Sequence, residues 1–317
     1  MNVQSPAALS LRETPTEIQQ ALTSLTVRKR RRLGTVIGGA VLAILVVMFG
    51  IDMATNPAFG WPVVADYLFS PQILQGVWLT IVLTIVSMTA GIVLGIGLAI
   101  MRVSTNPVFA TVSRAYIWFF RGTPLLVQLI FWYNIAALYP VIALGLPFGG
   151  PTIVLGSANV LITPLAAALL GLSLNEAAYM AEIIRSGISS VDPGQLDAGR
   201  AIGMTKVKMM RRVILPQAMR IVIPPTGNQV ISMLKGTSLV SVLAISDLLY
   251  SAQTIYALNY QTIPLLLAAC AWYLLMTTAL TAVQTRLEAR YGRGFQPRKT
   301  TRKKSAPQNT QQTEASA

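Results

Sequence analysis

The chain has no histidine, one cysteine and few charges. Charged residues make up 11% of its 317 positions, against roughly 25% in an ordinary soluble domain. Without histidine it lacks the commonest metal ligand and the usual proton carrier near neutral pH. Cys270 sits alone in an apolar run, which excludes a disulfide framework and a thiolate metal cage. No G-x-x-x-x-G-K-[ST] segment occurs, so the chain lacks the loop that cradles nucleotide phosphates. What it has instead is apolar length. Hydrophobic residues account for 53%, too many for the available polar residues to cover the surface of a soluble core.

A bilayer core about 30 Å thick takes roughly 20 helical residues to cross. Six spans of that kind can be read: 34–51, 72–101, 124–145, 164–188, 219–246 and 263–286. The first, with VIGGAVLAILVVMFGI, is uninterrupted, and no small-residue cleavage site follows it, so it reads as a retained helix. Ser70, Thr123 and Thr163 each precede a proline. A hydroxyl at the N-cap followed by proline at the first helical position is a helix-start device, because the missing proline N–H has no partner to lose there. The tails 1–27 and 297–317 are polar and predict disorder.

A net charge of +14 suggests nucleic acid, but its distribution points to a membrane. Under the six-span reading, 24 of the 25 Lys and Arg fall on one side: before the first helix, in 102–123, in 185–220 and from 286 onward. The other side holds only Asp52, Asp66 and Asp247. The positive-inside rule then puts both termini in the cytoplasm. The remaining cation, Lys235, lies within the fifth span, where ionisable residues are expensive and usually functional.

The uncharged, glycine-rich external stretch 146–162 suits a lid or docking surface and specifies nothing further. The internal stretch 189–218 reads as a helix–Gly–helix hairpin. Asp192 and Pro193 start a helix to about Ile202, Gly203 stops it, Thr205 caps a basic second helix, and Pro216 closes the unit. Ala198, Gly199 and Ala201 are small enough to let another surface approach the first helix. A surface loop without a partner has the same features.

The segment from Asp197 to Pro216 resembles the EAA loop of ABC-transporter permeases: Asp197, Ala198 and Gly199, then Gly203, Val213, Leu215 and Pro216 at matching spacing. Asp stands for Glu, Gly for the second Ala and Val for Ile. The Gly199 exchange is expected to loosen the helix by about 1 kcal/mol. Glu176, Ala177 and Ala178 spell the same letters inside a span, at the wrong spacing to any Leu-Pro. RGTPLLVQ (121–128), AAYMAEIIRSGI (177–188), PPTGNQ (224–229) and LKGTSLVS (234–241) are similar to the polar amino-acid branch of type I permeases. The resemblance covers roughly 70–290. It implies an all-α integral membrane protein, a five-helix type I core plus one additional N-terminal transmembrane helix at 34–51. Basic cytoplasmic tails, 1–33 and 291–317, flank it.

The resemblance also implies import of a polar amino acid, driven by ATP hydrolysed on a separate ABC ATPase subunit. A second permease subunit, identical or sister, and an extracytoplasmic substrate-binding protein complete such a system. The chain itself would bind no cofactor and no nucleic acid. The residues carried over to ATPase coupling are Asp197, Ala198, Gly199, Arg200, Gly203, Leu215 and Pro216. A permease for another small solute and an ATP-independent secondary transporter are the alternatives, although no internal repeat supports the latter.

For substrate contacts the argument is depth. Counted at about 1.5 Å per residue from Pro164, Glu176 lies near the midplane. An amino acid is a zwitterion, and Glu176 and Lys235 offer both signs of charge. Pro224 and Pro225 are expected to break the first turns of the fifth span, with Asn228, Gln229, Ser232, Thr237 and Ser238 following. Proline-interrupted helices with polar residues at depth are where transporters hold substrate. The same groups would also serve as bonds across a permease dimer. Asn175, Tyr179, Glu182 and Ser186 share one helical face, and Glu182 with Arg185 reads as an ion pair at the cytoplasmic boundary.

Residues 1–51 lie outside the family core. Their removal is expected to leave uptake largely intact wherever the core still inserts. Loss of uptake by correctly inserted protein, measured on membrane vesicles, would make the added helix part of the route or the dimer.

Overall fold

In a computed structural model, the residues described are 33–145 and 152–291. The tails, with the disorder expected of them, and residues 146–151 lie outside the described residues. The chain divides into two units, before and after Gly60. The first holds helix α1 (Leu33–Thr55), whose side chains are exposed from Gly34 to Asp52. A helix apolar all round has its solvent in lipid.

The second unit opens with α2 (Trp61–Leu68), followed by the long α3 (Pro71–Arg102). Next come α4 (Pro107–Gly122), α5 (Leu125–Tyr133), a two-stranded hairpin of β1 (Val141–Gly145) and β2 (Thr152–Ser157), and α6 (Pro164–Ser189). After α7 (Pro193–Ala201) the chain returns through α8 (Leu215–Gly236) and α9 (Leu248–Asn259) and ends in α10 (Thr262–Tyr291). Four helices among the described residues, α1, α3, α6 and α10, are long and apolar enough to cross a membrane. A fifth crossing forms if the segment Lys206–Leu243 and α9, bent by 45° at their break, count as one span.

The expected span 124–145 is not a helix. Thr123 ends α4, its hydroxyl donating to the Phe119 carbonyl, instead of capping the next helix. The continuation α5 stops at Asn134, whose amide donates to the Ile130 carbonyl, and Pro140 then leads into β1. Instead α4 and α5 follow one another across the break at Thr123–Pro124, together about 40 Å of helix at 1.5 Å per residue. Ser113 bonds the Leu98 carbonyl near the end of α3, Tyr116 bonds Leu174, and Leu129 packs on Gly171, so the pair runs antiparallel to α6. Arg114 and Arg121 therefore stand on a packed helix and not in a loop. The start device is present but displaced: Asn106 caps α4 by accepting from Val108 N (2.9 Å), with Pro107 behind it.

The fifth span differs too. Pro224 and Pro225 lie inside a continuous α8. The Thr226 hydroxyl donates to the Val222 carbonyl (2.8 Å), in the turn next to the Arg220 and Ile221 carbonyls that the prolines leave without a helical donor. The helix yields later, as a 3₁₀ segment from Thr237 to Leu243 and a turn at Ala244 with φ +55°. Asp247, expected outside, is fully buried and caps α9.

Two apolar cores hold the bundle. Leu83, Leu129, Leu172, Met233 and Val240 join α3, α5, α6 and α8 in one. Ile73, Leu234, Leu248 and Leu265 join α3, α8, α9 and α10 in the other. Helices in lipid gain little from hydrophobic burial against each other and associate through close packing at small residues. A Cβ added at Gly91 would lie 2.8 Å from the Glu176 Cβ, and one at Gly95 only 2.6 Å from the Met180 Cβ. These glycines set the α3–α6 contact. Gly95→Leu is expected to destabilise the purified chain by about 1–3 kcal/mol through overpacking. Gly97, with nothing within 4 Å, should accept Leu with a change within about 0.5 kcal/mol. Equal thermal shifts in detergent for the two variants would refute the close-contact account.

Candidate coupling hairpin and substrate route

The hairpin forms from its own sequence. Asp192 accepts from Gly194 N (2.7 Å) and Pro193 occupies the first position of α7. Gly203 takes φ +74°, a left-handed turn that glycine enters without a Cβ penalty. Thr205 accepts from Lys208 N (3.3 Å) and starts the basic turn Lys206–Met209. Pro216 does not close the unit. The chain widens into a π segment, Met210–Ile214, and continues into α8 with Pro216 in its first turn. A wide turn fits here because proline cannot donate to the carbonyl four residues back.

Asp197 and Arg200 pair at 2.8 Å, both exposed. Ala198, Ala201 and Ile202 are exposed beside them. Gly199 is used inside the hairpin, where a Cβ would sit 3.0 Å from the Met209 Cε. The glycine costs helix propensity and gains a seat for Met209. The Gln217 amide reaches the Gln195 side-chain oxygen and the Val213 carbonyl, tying α7 to the root of α8. Leu215 and Pro216 are exposed at that root.

The polar groups at depth meet around the middle of α6. Glu176 is 4% exposed, against Gly91 of α3, and its two oxygens accept from the Gln229 amide at 3.3 and 3.4 Å. Asn175 donates to the Phe120 carbonyl (2.9 Å) and to Gln128 (3.2 Å). The Gln128 amide in turn donates to the Phe120 and Thr123 carbonyls and the Thr123 hydroxyl. The Arg121 guanidinium lies 5.3 Å from the centroid of the Tyr179 ring, one turn of α6 from Glu176.

Lys235 does not join Glu176 in an ion pair. It is exposed, on the same face of α8 as the exposed Asn228 and Ser232. Asn228 accepts from the Gln284 amide of α10 (2.9 Å). The Ser238 hydroxyl donates to the Lys235 carbonyl, and Thr237 is fully buried with its hydroxyl on the Leu234 carbonyl. Thr237 thus faces the core and not an open route. Glu182 pairs with Arg185 at 2.8 Å and approaches Arg102 of α3 at 3.9 Å, an ion cluster at the hairpin end of both helices.

The placement of two polar residues here was not legible in the sequence. Arg121 was hidden by its assignment to a loop, although Asn106-Pro107 marks a helix start just upstream. Asp247 was hidden because its Oδ1 and Oδ2 serve Tyr250 N and Leu249 N, while Thr80 of α3 accepts from Leu248 N. Only the tertiary fold supplies that last contact.

Residues 91–293 match the family described as binding-protein-dependent transport system inner membrane component. The arginine transport system permease protein ArgU of Corynebacterium glutamicum is 45% identical over 266 residues, covering 83% of this chain and 82% of the relative. The L-cystine transport system permease protein TcyB of Bacillus subtilis is 38% identical, covering 76% and 95%. A crystal structure of an amino acid ABC transporter with histidines superposes with a TM-score of 0.61 at 34% identity, covering 71% of this chain and 97% of that one. A methionine ABC transporter solved in an inward-facing conformation shares the fold at 17% identity, with a TM-score of 0.55. The helices, the hairpin and these likenesses agree, and the chain belongs to the family of binding-protein-dependent transport system inner membrane components.

Proposed function

We propose that the chain is the permease subunit of an ATP-driven amino-acid importer, a multi-pass inner-membrane protein with both termini in the cytoplasm. The observation that carries this reading is the 45% identity to an arginine permease across 83% of the chain, with the EAA-like hairpin inside the aligned fold. Hydrolysis belongs to a separate ABC ATPase, which uses the ATP; this chain holds no cofactor. An extracytoplasmic binding protein delivers substrate, and a second permease subunit completes the passage. The permease domain is 70–290, and the helix within 34–51 stands as an addition to it.

Coupling runs through the exposed side of α7. Asp197, Ala198, Arg200 and Gly203 meet the ATPase, Gly199 seats Met209, and Leu215 with Pro216 joins the hairpin to α8. When the ATPases close, the hairpins are drawn together, and the helices on either side turn with them. Gly203→Val inserts a Cβ into a left-handed turn, at about 1–2 kcal/mol, without touching a span. It is expected to insert normally but to lose ATPase co-purification, substrate-stimulated ATP hydrolysis and uptake together in liposomes. Normal stimulated hydrolysis with retained ATPase would remove the hairpin from coupling.

The route runs past Glu176, Gln229, Asn228, Lys235 and Ser238. A polar stripe of Asn228, Ser232 and Lys235 exposed at membrane depth is too costly to face lipid and belongs to a route or a partner. An amino acid needs an anion for its ammonium and a cation for its carboxylate. Glu176 supplies the first, and Lys235 or Arg121 the second. A cationic amino acid fits the buried Glu176 best. Glu176→Gln is expected to lower uptake of arginine at least about tenfold while assembly with the ATPase persists. Lys235→Met should lower uptake without that charge preference. Unchanged kinetics in both variants would leave these groups as bonds between permeases.

A further inference from the structure

A groove of about 630 Å³ opens on the side of α8 away from its polar stripe. At 100° per residue, Met219, Val222 and Thr226 face roughly opposite to Asn228, Ser232 and Lys235. Its walls are apolar, with Ile96 and Ile100 of α3, Ile184 and Ile188 of α6, Met219 of α8 and Leu287 of α10. The polar side chains in it, Thr226 and Gln284, are already bonded to α8. The groove occupies the hairpin half of the bundle. Its lining on α3 runs from Ile92 to Ile100, two residues short of the helix end, and on α6 from Met180 to Ile188, one residue short. Each wall is about 12 Å long, close to one leaflet of a core about 30 Å thick.

The chemistry of the walls excludes the transported solute. A zwitterion there would lose its water without gaining hydrogen bonds, at several kcal/mol per group. The hairpin end, however, is strongly basic. Arg211 and Arg212 follow Met210, Arg220 follows Met219, Arg286 precedes Leu287, and Arg290 comes one turn later, all exposed. None of these five is in an ion pair among the described residues. The nearby acid on α10, Glu288, accepts from Gln284.

We propose that this groove is a binding site for an anionic phospholipid of the cytoplasmic leaflet, its acyl chains between α3, α6, α8 and α10 and its phosphate among the arginines. An apolar slot one leaflet deep with uncompensated cations at the headgroup level fits an acidic lipid, and basic pockets between membrane helices hold such headgroups elsewhere. Because Ile184, Ile188 and Met219 stand on both sides of the coupling hairpin, the lipid wedges the roots of α6 and α8. The proposal rests on the permease reading only in putting the hairpin end at the cytoplasmic leaflet.

The test uses the full-length chain in detergent, with phosphatidylglycerol, phosphatidylcholine of the same chains and inorganic phosphate as probes. Retained lipid is read by native mass spectrometry and binding by thermal shift. Wild type is expected to retain phosphatidylglycerol in preference to phosphatidylcholine and to show no shift with phosphate. Arg286→Gln with Arg290→Gln should weaken phosphatidylglycerol binding roughly thirtyfold, leaving phosphatidylcholine unchanged. Met219→Trp, which fills an exposed wall, should lose both lipids while unfolding at the wild-type temperature in detergent alone. Equal retention of the two lipids, a shift with phosphate alone, or full phosphatidylglycerol binding by either variant would overturn the proposal. So would cross-linking of Leu287→Cys, in a Cys270→Ser background, to a protein segment. Uptake assays test the permease reading separately, so failure of the lipid site leaves that reading standing.

Discussion

Inside hydrocarbon no water completes a broken backbone ladder, so every interruption of a helix must be met by the protein itself. This bundle has several interruptions, and named side chains gather at them. Where α4 gives way to α5, Gln128 and Asn175 bond the freed carbonyls of Phe120 and Thr123. Where α8 gives way to α9, Asp247 receives Tyr250 N and Leu249 N, and Thr80 receives Leu248 N from across the bundle. At the prolines of α8, the Thr226 hydroxyl and Gln284 add bonds to the neighbouring carbonyls of Val222 and Pro224, in the same turns as the Arg220 and Ile221 carbonyls that lose their helical donors. The buried polar residues of this chain therefore do structural work first.

That constraint changes how the polar residues at depth are weighed. Asn175, Gln128, Thr237 and Asp247 have partners that account for their presence. Glu176 is different, since its Gln229 contacts are long and a neutral amide would fill the same space. Lys235 and Asn228 are different too, being exposed where lipid would penalise them. The groups left over after the backbone is satisfied are the ones available to a solute, and they lie on α6 and α8.

Much of this was legible in the sequence, and the failures have physical reasons. Ser70-Pro71, Thr163-Pro164, Asp192-Pro193 and Gly203 act where their local chemistry said they would, because a cap or a left-handed turn depends on neighbours a few residues away. The span 124–145 failed because its apolar run continues past the helix end at Tyr133 into an apolar hairpin, and hydropathy does not distinguish the two. The supposed break at Pro224 and Pro225 failed because proline's fixed φ is itself helical, and the packed α8 runs on through both positions. The surroundings of Arg121 and Asp247 come from tertiary contacts, which no local pattern contains.

The hairpin and the route share a mechanical frame. Gly187, two residues before the end of α6, is so close to Val222 and the Ala218 carbonyl that a Cβ there would collide with both. The two helices that flank the hairpin are thus locked near their roots, while Gln217 binds α7 to the second of them. In the proposed coupling, a displacement of α7 passes through these contacts to both roots. Farther along, the same pair of helices is joined by Glu176 and Gln229, a contact at 3.3 Å that is soft compared with the glycine lock. On the proposed route, this polar contact between α6 and α8 is the point at which the solute would be held and let go, in line with the two roots that the hairpin joins.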